Sequence, residues 1–189
     1  KTVKARQLWI KILEARVATG EPYIMFGDTV QKGLPKTQKD LGLKVTHSNL
    51  CSEITLATND ERTAVCCLSS VNVEKFDEWK DNKLFIDDLM RMLDNVLTHF
   101  IDVAPSHLWR AVATAKSERS IGLGAMGFHT YLQSKNVPME SDIAISLNKT
   151  IFKHIHTNAL AANYILGKER GEPSDMKGTG KRFAHMIAI

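Results

Sequence analysis

The 189-residue sequence predicts a mixed α/β fold, with extended structure in the first half and helices in the second. Three observations carry that expectation. β-Branched and alternating segments cluster between residues 45 and 71. From residue 84 onward, apolar residues recur at helical spacing. Glycine and proline punctuate the junctions between these stretches.

Residues 4–18 place Leu8, Ile12 and Ala15 at helical spacing, and Thr19-Gly20-Glu21-Pro22 stops that helix. Tyr23 to Phe26 is apolar enough for a short strand ending at Gly27-Asp28. Residues 31–44, rich in Gly, Lys and Pro, read as a loop. Residues 45–58 read as extended, Asn59-Asp60-Glu61-Arg62 as a turn, and 64–71 as a second extended run. Residues 84–103 put Leu84, Leu89, Leu93, Val96, Leu97 and Phe100 on one broad stripe, and Pro105 breaks it. Helix resumes over 106–116. The longest helical pattern covers 143–168 and ends at Gly167 or at Gly171-Glu-Pro173. The sequence closes on an apolar, strand-like run, Phe183 to Ile189, and has no initiator Met. Both features are those of an internal segment of a longer polypeptide.

Composition narrows the function classes. The net charge of +4 comes from 25 basic residues interleaved with 21 acidic ones, with no basic stripe carrying aromatics, so nucleic-acid binding is not expected. No apolar run approaches the ~20 residues of a membrane span. Three cysteines, two of them adjacent, do not suggest a secreted disulfide framework and point to a cytoplasm with reduced thiols.

The most informative stretch is Asn49-Leu50-Cys51-Ser52-Glu53, within Thr-His-Ser-Asn-Leu-Cys-Ser-Glu-Ile-Thr-Leu. In an extended segment, residues i, i+2 and i+4 share a face, which would align an amide, a thiol and a carboxylate. The plain alternative is a half-buried strand with incidental polar residues, with Cys51 a small buried hydrophobe. Asn and Glu are poor core residues because a buried amide or carboxylate needs partners, which favours a pocket. Cys66-Cys67 follows 15 residues after Cys51. Strand neighbours face opposite ways, so only one of the two can share a pocket with Cys51. Both could equally be core fillers; a thiol pair in a pocket implies disulfide exchange. Reading His47, Cys51, Cys66 and Cys67 as zinc ligands fails on spacing, since adjacent cysteines make a poor tetrahedral fork.

Two further motifs carry less. Gly122-Leu-Gly124-Ala-Met-Gly127 has the G-x-G-x-x-G pattern, but a polar, helix-like segment precedes it and the acidic residue expected ~20 positions on is missing. A tight glycine turn with close backbone packing is the better expectation. Gly178-Thr-Gly-Lys181 lacks both the upstream glycine and the following Ser or Thr of a phosphate loop.

HSNLCSEI, AVCCLSSVN, the opening ARQLWIKILEARVATGEPYIMFGDT, and ERSIGLGAMGFHTYL occur in the order in which they stand in one family. Together they make the chain resemble the catalytic large subunit of class I, aerobic ribonucleotide reductase, in its bacterial and phage form. The resemblance implies a ten-stranded α/β barrel with a central finger loop near 45–58, of which this chain would be the middle and incomplete. It implies that Cys51, at the loop tip, becomes a transient thiyl radical that takes the 3′-hydrogen of a ribonucleoside diphosphate. By the same resemblance Glu53 is the base for the 3′-hydroxyl proton, and Asn49 hydrogen-bonds the substrate. Asn49, Leu50, Cys51, Ser52 and Glu53 line its site, and Cys66 is one of two thiols that reduce it. Cys67 departs from relatives that carry a non-thiol there, which leaves open which of the pair is the reductant.

The residue types fit that chemistry. A thiol can hold and return a hydrogen atom, a carboxylate is a base near neutral pH, and a dithiol supplies two electrons. The resemblance further implies that this segment binds no cofactor or metal. The radical would come from a separate dimetal small subunit and the electrons from thioredoxin or glutaredoxin. The large subunit would be a homodimer in the cytoplasm, or the host cytoplasm if phage-encoded. The second reducing thiol, the regulatory ATP-binding allosteric sites and the dimer helices would lie upstream of residue 1, and the phosphate-binding loop directly after Ile189. The rival expectation is a non-catalytic assembly fragment of a split or truncated reductase, inactive alone.

Overall fold

The computed structural model describes residues 2–187. Helix α1 (Ala5–Thr19) ends where Gly20, at φ 81°, turns left-handed and donates its N–H to the Arg16 carbonyl. A left-handed cap of this kind is the usual role of glycine after a helix. No α1 residue is buried, and Leu8, Trp9, Ile10, Leu13 and Val17 are all exposed. Its apolar spacing therefore meets no partner among the described residues.

The strand expected at 23–26 does not form. Phe26 is extended but precedes helix α2 (Gly27–Gly33), and no other strand lies alongside to complete a ladder. Residues 31–44 are not a plain loop either: α2 runs into them, and α3 (Lys36–Asp40) follows Pro35 at its N-cap. The glycines and proline that suggested a loop mark the ends of two short helices. Residues 45–58 form no regular strand. Asn59 and Arg62 close the expected turn with reciprocal N–H···O bonds of 3.3 and 3.2 Å.

The sheet has two parallel strands, β1 (Cys67–Asn72) and β2 (Ile121–Met126), in register from Cys67 opposite Ile121 to Asn72 opposite Met126. Parallel neighbours require a long crossover. Here it is α4 (Phe76–Trp79), α5 (Phe85–Val103) and α6 (Trp109–Glu118). Helix α5 packs on both strands, burying Ile86, Met90, Leu93 and Leu97 at a 3.6-residue repeat. The stripe read from sequence is rotated about the axis: Leu93 and Leu97 lie in the core and Leu89 and Phe100 at its margin, but Leu84 and Val96 are exposed.

Gly122 and Gly124 are not a turn. They are buried within β2, flanked by Ile121 and Leu123, which are 0% and 1% exposed. The turn is at Gly127 alone, at φ 81°, where a Cβ would come within 2.6 Å of the Asn72 side-chain oxygen. Helix α7 (Phe128–Ser134) follows. Helix α8 (Asp142–Arg170) starts at a Ser141 hydroxyl that accepts the Ala144 N–H at 3.1 Å, and ends at Gly171. It lies against α5 through Ile151, Ile155, Ala159, Ala162 and Leu166. A Cβ on Gly167, inside α8, would run into the Gly180 carbonyl. The closing run, expected to be strand-like, meets β2 through a single isolated bridge between Leu123 and Ile187, and Ile121 and Leu123 donate to the His185 and Met186 carbonyls at 3.0 Å. Residues 188 and 189 lie outside the described residues. The N–H groups of Gly178 and Gly180 converge on the Glu172 carboxylate, so this glycine-rich loop is occupied by the chain's own anion.

One buried carboxylate ties the helices together. Asp94 of α5 is fully buried and accepts from Arg119 Nε at 2.8 Å, Arg170 at 2.7 Å and Arg182 at 3.2 Å. Burial raises its pKa, but the Arg170 hydrogen bond and the charges of Arg119 and Arg182 outweigh that and hold it below the usual carboxylate range. Its contribution to stability is therefore present at neutral pH and is lost as pH falls through the lowered folded value. Replacing Asp94 by Ala leaves three guanidinium groups without their common partner. The expected cost is about 3–5 kcal/mol, read as a lower urea midpoint.

Candidate functional site

Residues 49–52 form a tight turn rather than a strand. Ser52 N–H donates to the Asn49 carbonyl at 3.1 Å, and Ser52 sits at φ 65°. The Asn49 side chain staples the turn's base: its Oδ1 accepts the Ile54 N–H at 3.0 Å and its Nδ2 donates to Glu53 Oε1 at 2.6 Å. The Ser48 hydroxyl donates to the Ile54 carbonyl at 2.6 Å. With its neck closed by side chains, the turn projects Leu50 and Cys51 outward, and both are exposed. The i, i+2, i+4 argument thus reached a neighbouring pair, Asn49 with Glu53, through the wrong backbone geometry. A turn replaces the strand because no neighbouring chain pairs with this backbone and Asn readily bonds its own following residues.

Glu53 is half-buried. Asn49 holds one carboxylate oxygen, and the other, Oε2, is buried without a partner. An acceptor left in that state is costly unless something donates to it.

Beside the turn lies a cleft of about 850 Å³, lined by Thr46, His47, Asn49, Leu56, Arg62 and Cys66 among others. Cys66 and Leu68 line the cleft, whereas Cys67 packs against the hydrophobic core. The two thiols thus divide between cleft and core as strand alternation requires. Burial first, then the charges of Cys67, Glu118 and Glu53, push the Cys66 thiol up to about 12. Burial also raises Cys67, against a lowering by Arg119. Among the described residues, no three His, Cys, Asp or Glu side chains gather as a metal site, and no helix is long and apolar enough to cross a membrane.

Sequence reading missed the buried polar cluster that Arg62 joins to the cleft. Arg62, beside Cys66 in its wall, donates to Asp175 at 2.6 Å and to Glu118 at 3.2 Å. Gln38 donates to the same two carboxylates at 3.1 and 3.2 Å, and His185 Nε2 lies 3.1 Å from Gln38 Oε1. These residues come from five separate segments, and no local pattern links them.

Comparison with known proteins identifies the family. Residues 1–187 match the model of the ribonucleotide reductase barrel domain. The ribonucleoside-diphosphate reductase large subunit of Invertebrate iridescent virus 3 is 53% identical over 189 residues, covering all of this chain and 30% of that protein. The putative large subunit of Frog virus 3 is 51% identical over 191 residues, covering all of this chain and 34% of that protein. The solved Actinobacillus ureae class Id ribonucleotide reductase alpha subunit superposes with a TM-score of 0.92 at 40% identity, over 97% of this chain and 36% of that one. The chain belongs to the ribonucleotide reductase barrel-domain family. It spans about a third of the length of these relatives, and its two-stranded sheet is an open part of a barrel.

The exposed Cys51 and the half-buried, strongly raised Cys66 should separate by reactivity. At pH 8, iodoacetamide should label Cys51 well before Cys66, as read by peptide mass spectrometry. Equal labelling would contradict the placement of Cys66.

Proposed function

We propose that this chain is the part of a ribonucleoside-diphosphate reductase large subunit that carries the radical thiol, its base and one reducing thiol. The observation that carries the reading is the stapled turn: Cys51 at an exposed tip, with Glu53 two residues on and held by Asn49 at 2.6 Å. The names of the relatives support the same activity.

In this reading a ribonucleoside diphosphate lies over the turn. Cys51, as a thiyl radical, takes the 3′-hydrogen of the ribose. The unpartnered oxygen of Glu53 accepts the 3′-hydroxyl proton and returns it when the sugar is re-formed, and the 2′-hydroxyl takes one thiol proton and leaves as water. Asn49 orients Glu53 and reaches the substrate. Cys66 and a second thiol each give one electron and one proton and become a disulfide, after which Cys51 returns its hydrogen to C3′. Cys67 lies against the core and is poorly placed to be that second thiol, which the resemblance puts upstream of residue 1. The chain itself offers no radical generator. A dimetal small subunit would oxidise Cys51, and thioredoxin or glutaredoxin would reopen the disulfide. A large-subunit homodimer completes the assembly.

The test is Cys51→Ser in the full-length subunit with its small subunit. Deoxynucleotide formation should fall to background, with nucleotide binding within about twofold of wild type, because only the hydrogen-atom carrier is lost. Appreciable turnover by that variant would overturn the reading.

A further inference from the structure

The register of the sheet sets Cys66 and the end of α6, with Glu118 its last residue, at the same end of the strand pair. Cys67 stands opposite Ile121, so Cys66 and the step from Glu118 to Ser120 lie together at the N-terminal end of the strand pair. Glu118 is fully buried as the last residue of α6, at the end of a helix where the backbone dipole disfavours a negative charge. Its Oε2 accepts from Gln38 and Arg62, while Oε1 is buried with no partner in hydrogen-bond geometry. The Ser120 hydroxyl, also unpaired, stands near the same carboxylate.

Counting charges shows what the cluster lacks. Arg62 is the one cation that bonds two buried carboxylates, and it makes the shorter bond, 2.6 Å against 3.2 Å, to Asp175. His185 reaches the cluster only through Gln38, and burial pushes it down to about 4, so it adds no charge at neutral pH. Two carboxylates facing one guanidinium leave one negative charge in excess, and a proton on the less firmly held carboxylate removes it most cheaply. That carboxylate is Glu118. Burial raises it to about 7, with Asp175 adding to the rise and Arg62, Gln38 and Ser120 opposing it.

The geometry points to Glu118 as a positioning residue for the cleft thiol: protonated, it lets Cys66 become a thiolate, and ionised, it holds Cys66 as the thiol. Its meaning for turnover rests on the reductase reading, in which Cys66 must cycle between thiol and disulfide. The electrostatic link does not rest on it. Three groups act on the Cys66 sulfur, namely Cys67, Glu118 and Glu53. Burial raises Glu118 to about 7, so its charge changes near neutral pH. Thiolate formation at Cys66 is therefore easiest relative to its surroundings below pH 7 and is progressively opposed as Glu118 ionises above it.

The test is the pH profile of Cys66 alkylation by iodoacetamide, resolved by peptide mass spectrometry in the full-length subunit from pH 6 to 9. In wild type the rate should rise roughly tenfold per pH unit below 7 and clearly less than tenfold between pH 7 and 8, where Glu118 takes its charge. Glu118→Gln should remove the bend and restore a roughly tenfold rise per unit throughout. Asp175→Asn frees Arg62 for Glu118, so the bend should move to lower pH. A wild-type profile without a bend overturns the proposal before any variant is made. A Glu118→Gln profile merely offset in parallel from wild type overturns it too, because loosened packing alone would speed labelling equally at every pH. If Glu118→Gln does not fold, the bend in Asp175→Asn decides, and an unmoved bend is the overturning result. Since the readout is labelling and not turnover, this link can fail while the reductase reading stands, and the reverse.

Discussion

The parallel pairing of β1 with β2 is the constraint on which the rest depends. Two parallel strands cannot be joined by a hairpin, so residues 73–120 must leave one end of the sheet and return to the other. Helix α5 makes most of that return and buries one face, Ile86, Met90, Leu93 and Leu97, because it must cover the strands it connects. The same register brings the start of β1 and the end of α6 together. That is why a cleft-lining thiol at 66 and a buried carboxylate at 118 lie at the same end of the strand pair although 52 residues separate them.

Two buried ion clusters flank this sheet, and their stoichiometry makes them behave differently. Around Asp94, one carboxylate meets three guanidinium groups, so it stays ionised and acts as a fixed tie between α5, α8 and the segment after α8. Around Arg62, two carboxylates meet one guanidinium, so one of them holds a proton near neutrality. The first arrangement suits structure, since nothing titrates in the working range. The second leaves Glu118, raised to about 7, free to gain or lose a proton near neutrality.

The finger-like turn follows a separate logic. Backbone without a strand partner needs other hydrogen bonds, and here the side chains of Ser48 and Asn49 provide them across the neck of the turn. Rigidity is thus supplied locally, while the tip stays exposed.

Some of this was legible from the residues. The long helices at 85–103 and 142–170 were readable because an amphipathic face repeats every 3.6 residues whatever lies against it. The family was readable because the motifs around Asn49, Cys51, Glu53 and Cys66 resemble it along nearly the whole chain. Tertiary structure decided the rest. It made 121–126 a strand rather than a turn, because pairing with β1 and with 185–187 outweighs the weak strand preference of Gly122 and Gly124. It left 23–26 and 45–58 without strands, because a strand exists only with a neighbour. It chose Cys66 over Cys67 for the cleft through the face each residue presents. It assembled Gln38, Arg62, Glu118, Asp175 and His185 from segments up to 147 residues apart. Local sequence cannot encode such a cluster, because a buried charge is defined by what surrounds it.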